Sequence, residues 1–277
     1  MRTAASYGYS TFRYDRLGTG LSETPSNGFD ITQAATETAI LTSLIQMLRT
    51  NGTSTGTGGS TQNVTRYPRI LGIGHSYGAF QLQYLTSTYP SLLSGTILQG
   101  FSANGTGFPF TFCTAGFSIA STIFPSRPLI ASKPPTWLVT GTRTTNQPLY
   151  WYFPHYDLDA FEWSWERTEP VTIGTFVTIG DLVKAAPTWN SPTQVIVGDR
   201  DYIVAFGDAY ASGLPQDNED AKEMTIPRLV RPMLYPNLTE DNFEAYIPAF
   251  TGHAINTHFS APETYGQMLD FVMRHQL

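Results

Sequence analysis

The chain has a single cysteine, Cys113, among its 277 residues. No internal disulfide can form, so the fold must be held by a hydrophobic core. No basic residue flanks Cys113, and it reads as a small apolar side chain rather than a reactive thiol. Charge is also scarce. Lys, Arg, Asp and Glu make up 14 % of the residues, and the sixteen basic ones are scattered without a run. With a net charge of −6 the chain lacks the basic patch that nucleic acid or an anionic membrane surface would require. No stretch of about eighteen apolar residues occurs, so no membrane span is predicted. Residues 1–8 lack the apolar core of a signal peptide. There is no H-x-x-x-H or H-E-x-x-H pattern and no glycine-rich nucleotide loop, so neither metal nor cofactor is expected.

What is present is apolar and aromatic. Hydrophobic residues reach 41 %, which describes a globular chain long enough to bury a sizeable core. N-x-[ST] sequons stand at Asn51, Asn63, Asn104 and Asn237, a hint that a full-length form is secreted.

Residues 9–14, rich in Tyr, Phe and Thr, read as a strand that runs into a glycine-bearing turn at 15–22. Apolar residues at three- and four-residue steps predict a helix from Asp30, its N-cap, to Arg49, closed by Asn51-Gly52. Residues 51–65 form a low-complexity surface loop. Arg69–Gly74 is a short apolar run suited to a strand buried on both faces, and residues 77–88 suit a helix ending near Pro90. Further strands are expected at Leu93–Phe101, Gln194–Val197 and Ala245–Ile247. Residues 213–240 are polar and broken by proline. Ser260-Ala261-Pro262-Glu263 has the form of a capping box opening a terminal helix. Strands alternating with helices indicate an α/β fold with a mainly parallel sheet flanked by helices. Residues 103–190 differ in texture, since they contain all five tryptophans and much of a phenylalanine-rich stretch. They read either as a greasy unit packed on itself or as a helical cap lining a substrate cavity. The predicted division is a core of 1–102 and 191–277 with 103–190 inserted as cap.

The chemistry concentrates at Gly74-His75-Ser76-Tyr77-Gly78. The pattern G-x-S-x-G is common, but here it follows a buried apolar run and precedes a helix, the setting of a nucleophile elbow. The sharp turn strains the serine backbone, so small residues are expected two positions either side. The helix start would offer the Tyr77 N–H to a developing oxyanion. A serine nucleophile needs a base, and the base needs an orienting acid. His75 lies inside the elbow with its ring expected to point away from the serine. His155 falls in the cap and His275 in the last turn of the terminal helix. His253, on a loop after the final strand, is preferred as base over His258, which would support that loop. In Gly198-Asp199-Arg200-Asp201 the preferred acid is Asp201, with Asp199 pairing with Arg200 or capping the turn.

Together with Tyr14-Asp15-Arg16-Leu17-Gly18-Thr19-Gly20-Leu21-Ser22 and Thr251-Gly252-His253-Ala254-Ile255-Asn256, these motifs resemble the α/β-hydrolase superfamily over essentially the whole chain, with a cap resembling that of fungal members. The resemblance implies an acyl-enzyme mechanism. Ser76 would attack a carbonyl, His253 would shuttle the proton, Asp201 would hold the imidazole and the Tyr77 N–H would bind the oxyanion. It points to a carboxylesterase or lipase-like enzyme acting on a small apolar ester, lactone or amide. Alternatives are acyl transfer by the same triad, or a ligand-binding relative with little turnover. A haloalkane or epoxide hydrolase is disfavoured, because a carboxylate would be needed where Ser76 stands. Members of the superfamily begin with three strands and a His-Gly loop that donates a second oxyanion N–H. This sequence enters after that loop, with residues 9–14 as the fourth strand, which implies a gap in the sheet and weakened activity.

Overall fold

The computed structural model describes residues 2–50, 53–54, 64–103, 105, 108–211 and 224–277. Nine strands run through them in chain order: β1 (Thr53–Ser54), β2 (Val64–Thr65), β3 (Leu71–His75), β4 (Gly95–Gln99), β5 (Phe117–Ile119), β6 (Trp137–Thr140), β7 (Val171–Thr172), β8 (Thr193–Ile196) and β9 (Phe243–Tyr246). The central sheet is four-stranded, in the order β3-β4-β8-β9, and every pairing in it is parallel. Its two middle strands are buried along their whole length, as expected of a parallel sheet covered on both faces. The apolar runs located all four strands, with ends shifted by one or two residues.

The register decides where chemistry can collect. His75 sits opposite Gln99, Gln99 opposite Ile196 and Ile196 opposite Tyr246. All four strands therefore end at one edge, where the turns that follow them are neighbours, and ligands of open α/β sheets bind at such carboxyl edges. One face of the sheet packs against the helix Tyr77–Thr88 and the helix Ala34–Thr50 through Leu82, Leu85, Leu93, Leu98 and Val195. The other packs Ile97 and Ile196 against Phe271 and Val272 of the terminal helix Ala261–Arg274.

Several expectations need correction. Residues 9–14 form no strand. A strand needs a ladder partner, and none lies beside them among the described residues; β3 is an edge strand whose Ile73 is 55 % exposed. Among the described residues the four central strands pair side by side in the order β3-β4-β8-β9. The helix over 34–50 starts at Ala34, four residues after Asp30, which lies in a turn where its carboxylate accepts from the Asn27 side chain. Ser260 does not cap the terminal helix: its hydroxyl is turned to Thr251, 2.6 Å away. The stretch read as polar and proline-broken contains a helix, Ile226–Leu234, which tolerates Pro227 in its first turn. Asn51, Gly52, Asn63 and Asn104 lie outside the described residues, whereas the Asn237 side chain donates to the Pro187 carbonyl.

Between β4 and β8 the chain builds a small antiparallel sheet, β5-β6-β7, ringed by short helices, rather than a purely helical unit. Its grip on the core is made of specific contacts. Buried Lys133 donates to the Gly18 carbonyl (2.6 Å) and to Thr24 Oγ1 (3.1 Å), and Thr172 Oγ1 donates to the Thr32 carbonyl (2.6 Å). Trp137 is buried against Gly18, where a Cβ would fall 1.9 Å from the indole, so that only glycine fits. The end of this segment returns to the core, where Leu182, Ala186 and Trp189 join the main cluster.

Candidate active site

The turn after β3 carries Ser76 with φ 52° and ψ −120°, a conformation an L-residue adopts only when its surroundings impose it. The Ser76 N–H donates to the Gln99 carbonyl across the sheet (2.8 Å), and its own carbonyl accepts the first helical bonds from Ala79 and Phe80. Gly74 is required by close approach, because a Cβ there would lie 2.5 Å from the Gly78 carbonyl. Gly78 is not required in the same way. A Cβ at that position meets nothing within 4 Å, so the expectation of a small residue on both sides holds on one side only.

From this turn the Ser76 hydroxyl reaches His253. Its Oγ is 2.8 Å from His253 Nε2, and His253 Nδ1 is 2.8 Å from Asp201 Oδ2. Asp201 and His253 are fully buried. The other Asp201 oxygen caps the helix Tyr202–Ala205, accepting the N–H groups of Ile203 (2.9 Å) and Val204 (3.1 Å). With both carboxylate oxygens engaged, Asp201 cannot swing away from the imidazole. A carboxylate at Nδ1 holds the proton on that nitrogen and leaves Nε2 free to accept from the serine. Residues 76, 201 and 253 thus converge from three different strand ends. Asp199 stands behind them, accepting the Thr251 N–H (2.8 Å) while its second oxygen lies 3.5 Å from Arg200 Nε.

Two residues outside the triad bear directly on His253, and one of them, Gly100, carried no recognisable signal in the sequence. Gly100, at φ 56°, follows β4, and a Cβ there would fall 2.8 Å from the His253 ring. His75, within the elbow, was expected to point away from the serine. Its ring lies against that of His253, with centroids 4.9 Å apart, and its Nε2–H donates to the His253 carbonyl (2.7 Å). Burial, reinforced by the neighbouring imidazole, lowers the His75 pKa to about 4, so the ring is neutral at ordinary pH.

Ser76 opens into a cavity of about 420 Å³. Phe112, Phe117 and Phe176 of the inserted segment form a trio of mutually tilted rings on its wall, with centroid separations of 4.5–6.1 Å. Of the five tryptophans only Trp151 lines it. Arg16 enters from the glycine-bearing turn, lies 4.8 Å from the centre of the Tyr77 ring and bonds buried Glu37 at 2.7 Å. The Tyr77 phenol is buried near that carboxylate, and desolvation followed by the Glu37 charge pushes its pKa far up, so it stays neutral. Among the described residues no cluster of side chains could hold a metal ion, and no helix is long and apolar enough to cross a membrane.

Comparison with solved structures shows the same architecture at low identity. A methylesterase from Arabidopsis is 13 % identical, with a TM-score of 0.57 over 98 % of this chain and 90 % of its own. The monoacylglycerol lipase of Paleococcus ferrophilus is 14 % identical, with a TM-score of 0.55 over 94 % and 81 %. Methylketone synthase I of tomato, in complex with 2-tridecanone, is 13 % identical, with a TM-score of 0.59 over 99 % and 91 %. No curated protein matches the chain in sequence. A family model does, across residues 1–232, and with it the strand–turn–helix around Ser76, the strand order and the flanking helices place this chain in the alpha/beta hydrolase family.

Proposed function

We propose that the protein is a serine hydrolase that cleaves a small or medium apolar ester through an acyl-enzyme. The observation that carries this reading is the unbroken relay Ser76–His253–Asp201, with both links at 2.8 Å, beside a largely apolar cavity. Ser76 Oγ attacks the ester carbonyl carbon while His253 Nε2 takes its proton. Asp201 stabilises the imidazolium that results and keeps the ring oriented. The oxyanion receives the Tyr77 N–H, at the start of the twelve-residue helix Tyr77–Thr88, whose dipole favours negative charge there. The imidazolium then protonates the departing alkoxide. Water, deprotonated by the same nitrogen, releases the acid. The phenylalanine trio suits an apolar acyl group, and family likeness to a methylesterase and a monoacylglycerol lipase supports ester chemistry.

The test is covalent. A fluorophosphonate should modify Ser76, located by peptide mass spectrometry, and p-nitrophenyl esters of increasing acyl length should be hydrolysed with an initial burst. Labelling without any turnover would support a ligand-binding role instead. Faster product formation on adding an alcohol, with a new ester as product, would establish acyl transfer. Absence of labelling at Ser76 would refute the proposal.

A further inference from the structure

The loop that bears His253 is held by a second buried histidine that touches none of the proposed reacting groups. His258 is 3 % exposed. Its Nδ1 lies 2.9 Å from the Ala254 carbonyl, and its Nε2 lies 3.1 Å from the Gly252 nitrogen and 3.0 Å from the Tyr152 nitrogen. These partners fix the tautomer. A carbonyl can only accept, so Nδ1 carries the proton; two N–H groups can only donate, so Nε2 is bare. The two residues flanking His253 are therefore tied to one ring, and so is Tyr152, which follows the cavity-lining Tyr150 and Trp151. The same segments are joined by the Ala254 N–H on the Tyr150 carbonyl (2.7 Å) and by close packing at Gly252, where a Cβ would fall 2.8 Å from that carbonyl.

We infer that His258, in its neutral form, is a positioning residue for the His253 loop and couples that loop to the wall of the cavity. The inference rests on the reading of His253 as the base. Protonating Nε2 would remove the acceptor for two N–H groups at once, the buried one of Gly252 and the part-buried one of Tyr152, and leaving such groups unpaired is costly. Burial lowers the His258 pKa from its ordinary value. The charged or titratable groups facing it are His155, which adds to that shift, and Asp199 and Asp201, which oppose it. Trp151 and Tyr156 enclose the ring, each with its centroid 5.9 Å away.

The experiment compares His258→Gln and His258→Leu with the wild type, using p-nitrophenyl butyrate and counting competent sites by fluorophosphonate labelling. The leucine fills the space without an acceptor, while the glutamine restores an acceptor oxygen that does not titrate. Per labelled site, H258L should lose about 10- to 100-fold in kcat with KM nearly constant, and H258Q should recover most of it. Log kcat should fall more steeply toward the acid end in the wild type than in H258Q, because only the wild type can lose the His258 acceptor to a proton. Hydrogen exchange gives a readout independent of turnover: the Gly252 and Tyr152 amides should exchange at least about ten-fold faster in H258L than in H258Q. Unchanged kcat per labelled site in H258L, an acid limb in H258Q as steep as that of the wild type, or equal amide exchange in the two variants would each overturn the positioning role. Undiminished hydrolysis by His253→Ala would instead refute His253 as base, a failure of the underlying reading that the exchange data would not share.

Discussion

The parallel sheet and the segment inserted between β4 and β8 contribute to the same cavity by different physical means. On the sheet side, positions are set by backbone. Ser76 is aimed by its positive φ, Gly74 and Gly100 are small because neighbours lie too close for a Cβ, and Asp201 is fixed by capping a helix. On the inserted side, positions are set by side chains packing on side chains, as in the trio Phe112, Phe117 and Phe176. A backbone turn has few alternatives, whereas an aromatic wall can repack. Substitutions on the first side should therefore act on kcat, and those on the second on KM and chain-length preference.

The largest expected effect is at the nucleophile. Ser76→Ala should lower kcat by roughly 10⁴- to 10⁶-fold and abolish fluorophosphonate labelling, without loss of the folded state in a thermal melt. Next is Asp201→Asn, expected to lower kcat about 10⁴-fold by removing the charge that holds the His253 tautomer, with KM for a p-nitrophenyl ester little changed. A rise in KM comparable to the fall in kcat would show that the sheet side also selects substrate, and would blur the division.

The third prediction concerns pH. His75 is neutral in the fold because its pKa is lowered to about 4 from the 6.5 of an unhindered ring. Between those values the unfolded chain binds a proton that the folded chain refuses, so stability falls as pH drops from 6.5 to 4, by roughly 3 kcal/mol from this residue. His75→Gln, which retains a donor for the His253 carbonyl, should flatten that part of a plot of denaturation midpoint against pH. The smallest effect is expected on the aromatic wall. Phe176→Ala should raise KM for a medium-chain ester about five-fold, or shift preference to longer chains, with kcat nearly constant. A loss confined to kcat would remove the contrast between the two sides.

The same contrast explains what could be read from the amino-acid order. Strands buried on both faces appear as apolar runs, as β4 and β8 do, the edge strands β3 and β9 carry shorter apolar stretches, and the glycine spacing around Ser76 marked the turn. Gly-x-x-Asp201 and His253 followed from the order of the strand ends. Residues 9–14 misled because aromatic residues and threonine satisfy a strand's local preference, while a strand also needs a neighbour, and that depends on distant parts of the chain. Ser260 misled because its hydroxyl had a better partner in Thr251 than in its own helix. The β5-β6-β7 sheet escaped notice since its strands are two to four residues long. Gly100, and the contact of the elbow residue His75 with His253, could not be recognised because their importance lies in what approaches them through space.

The packing of Trp137 on Gly18 gives the molecule a built-in optical sensor. The indole is 1 % exposed, its N–H has no partner, and it spans the contact between the inserted segment and the turn that carries Arg16. Any motion that lifts the segment off the turn must wet this ring, moving its fluorescence to longer wavelength. Trp163, already 61 % exposed, would contribute a nearly constant background. Opening of the cavity could thus be followed by intrinsic emission in unlabelled protein, with Trp137→Phe as the silent control.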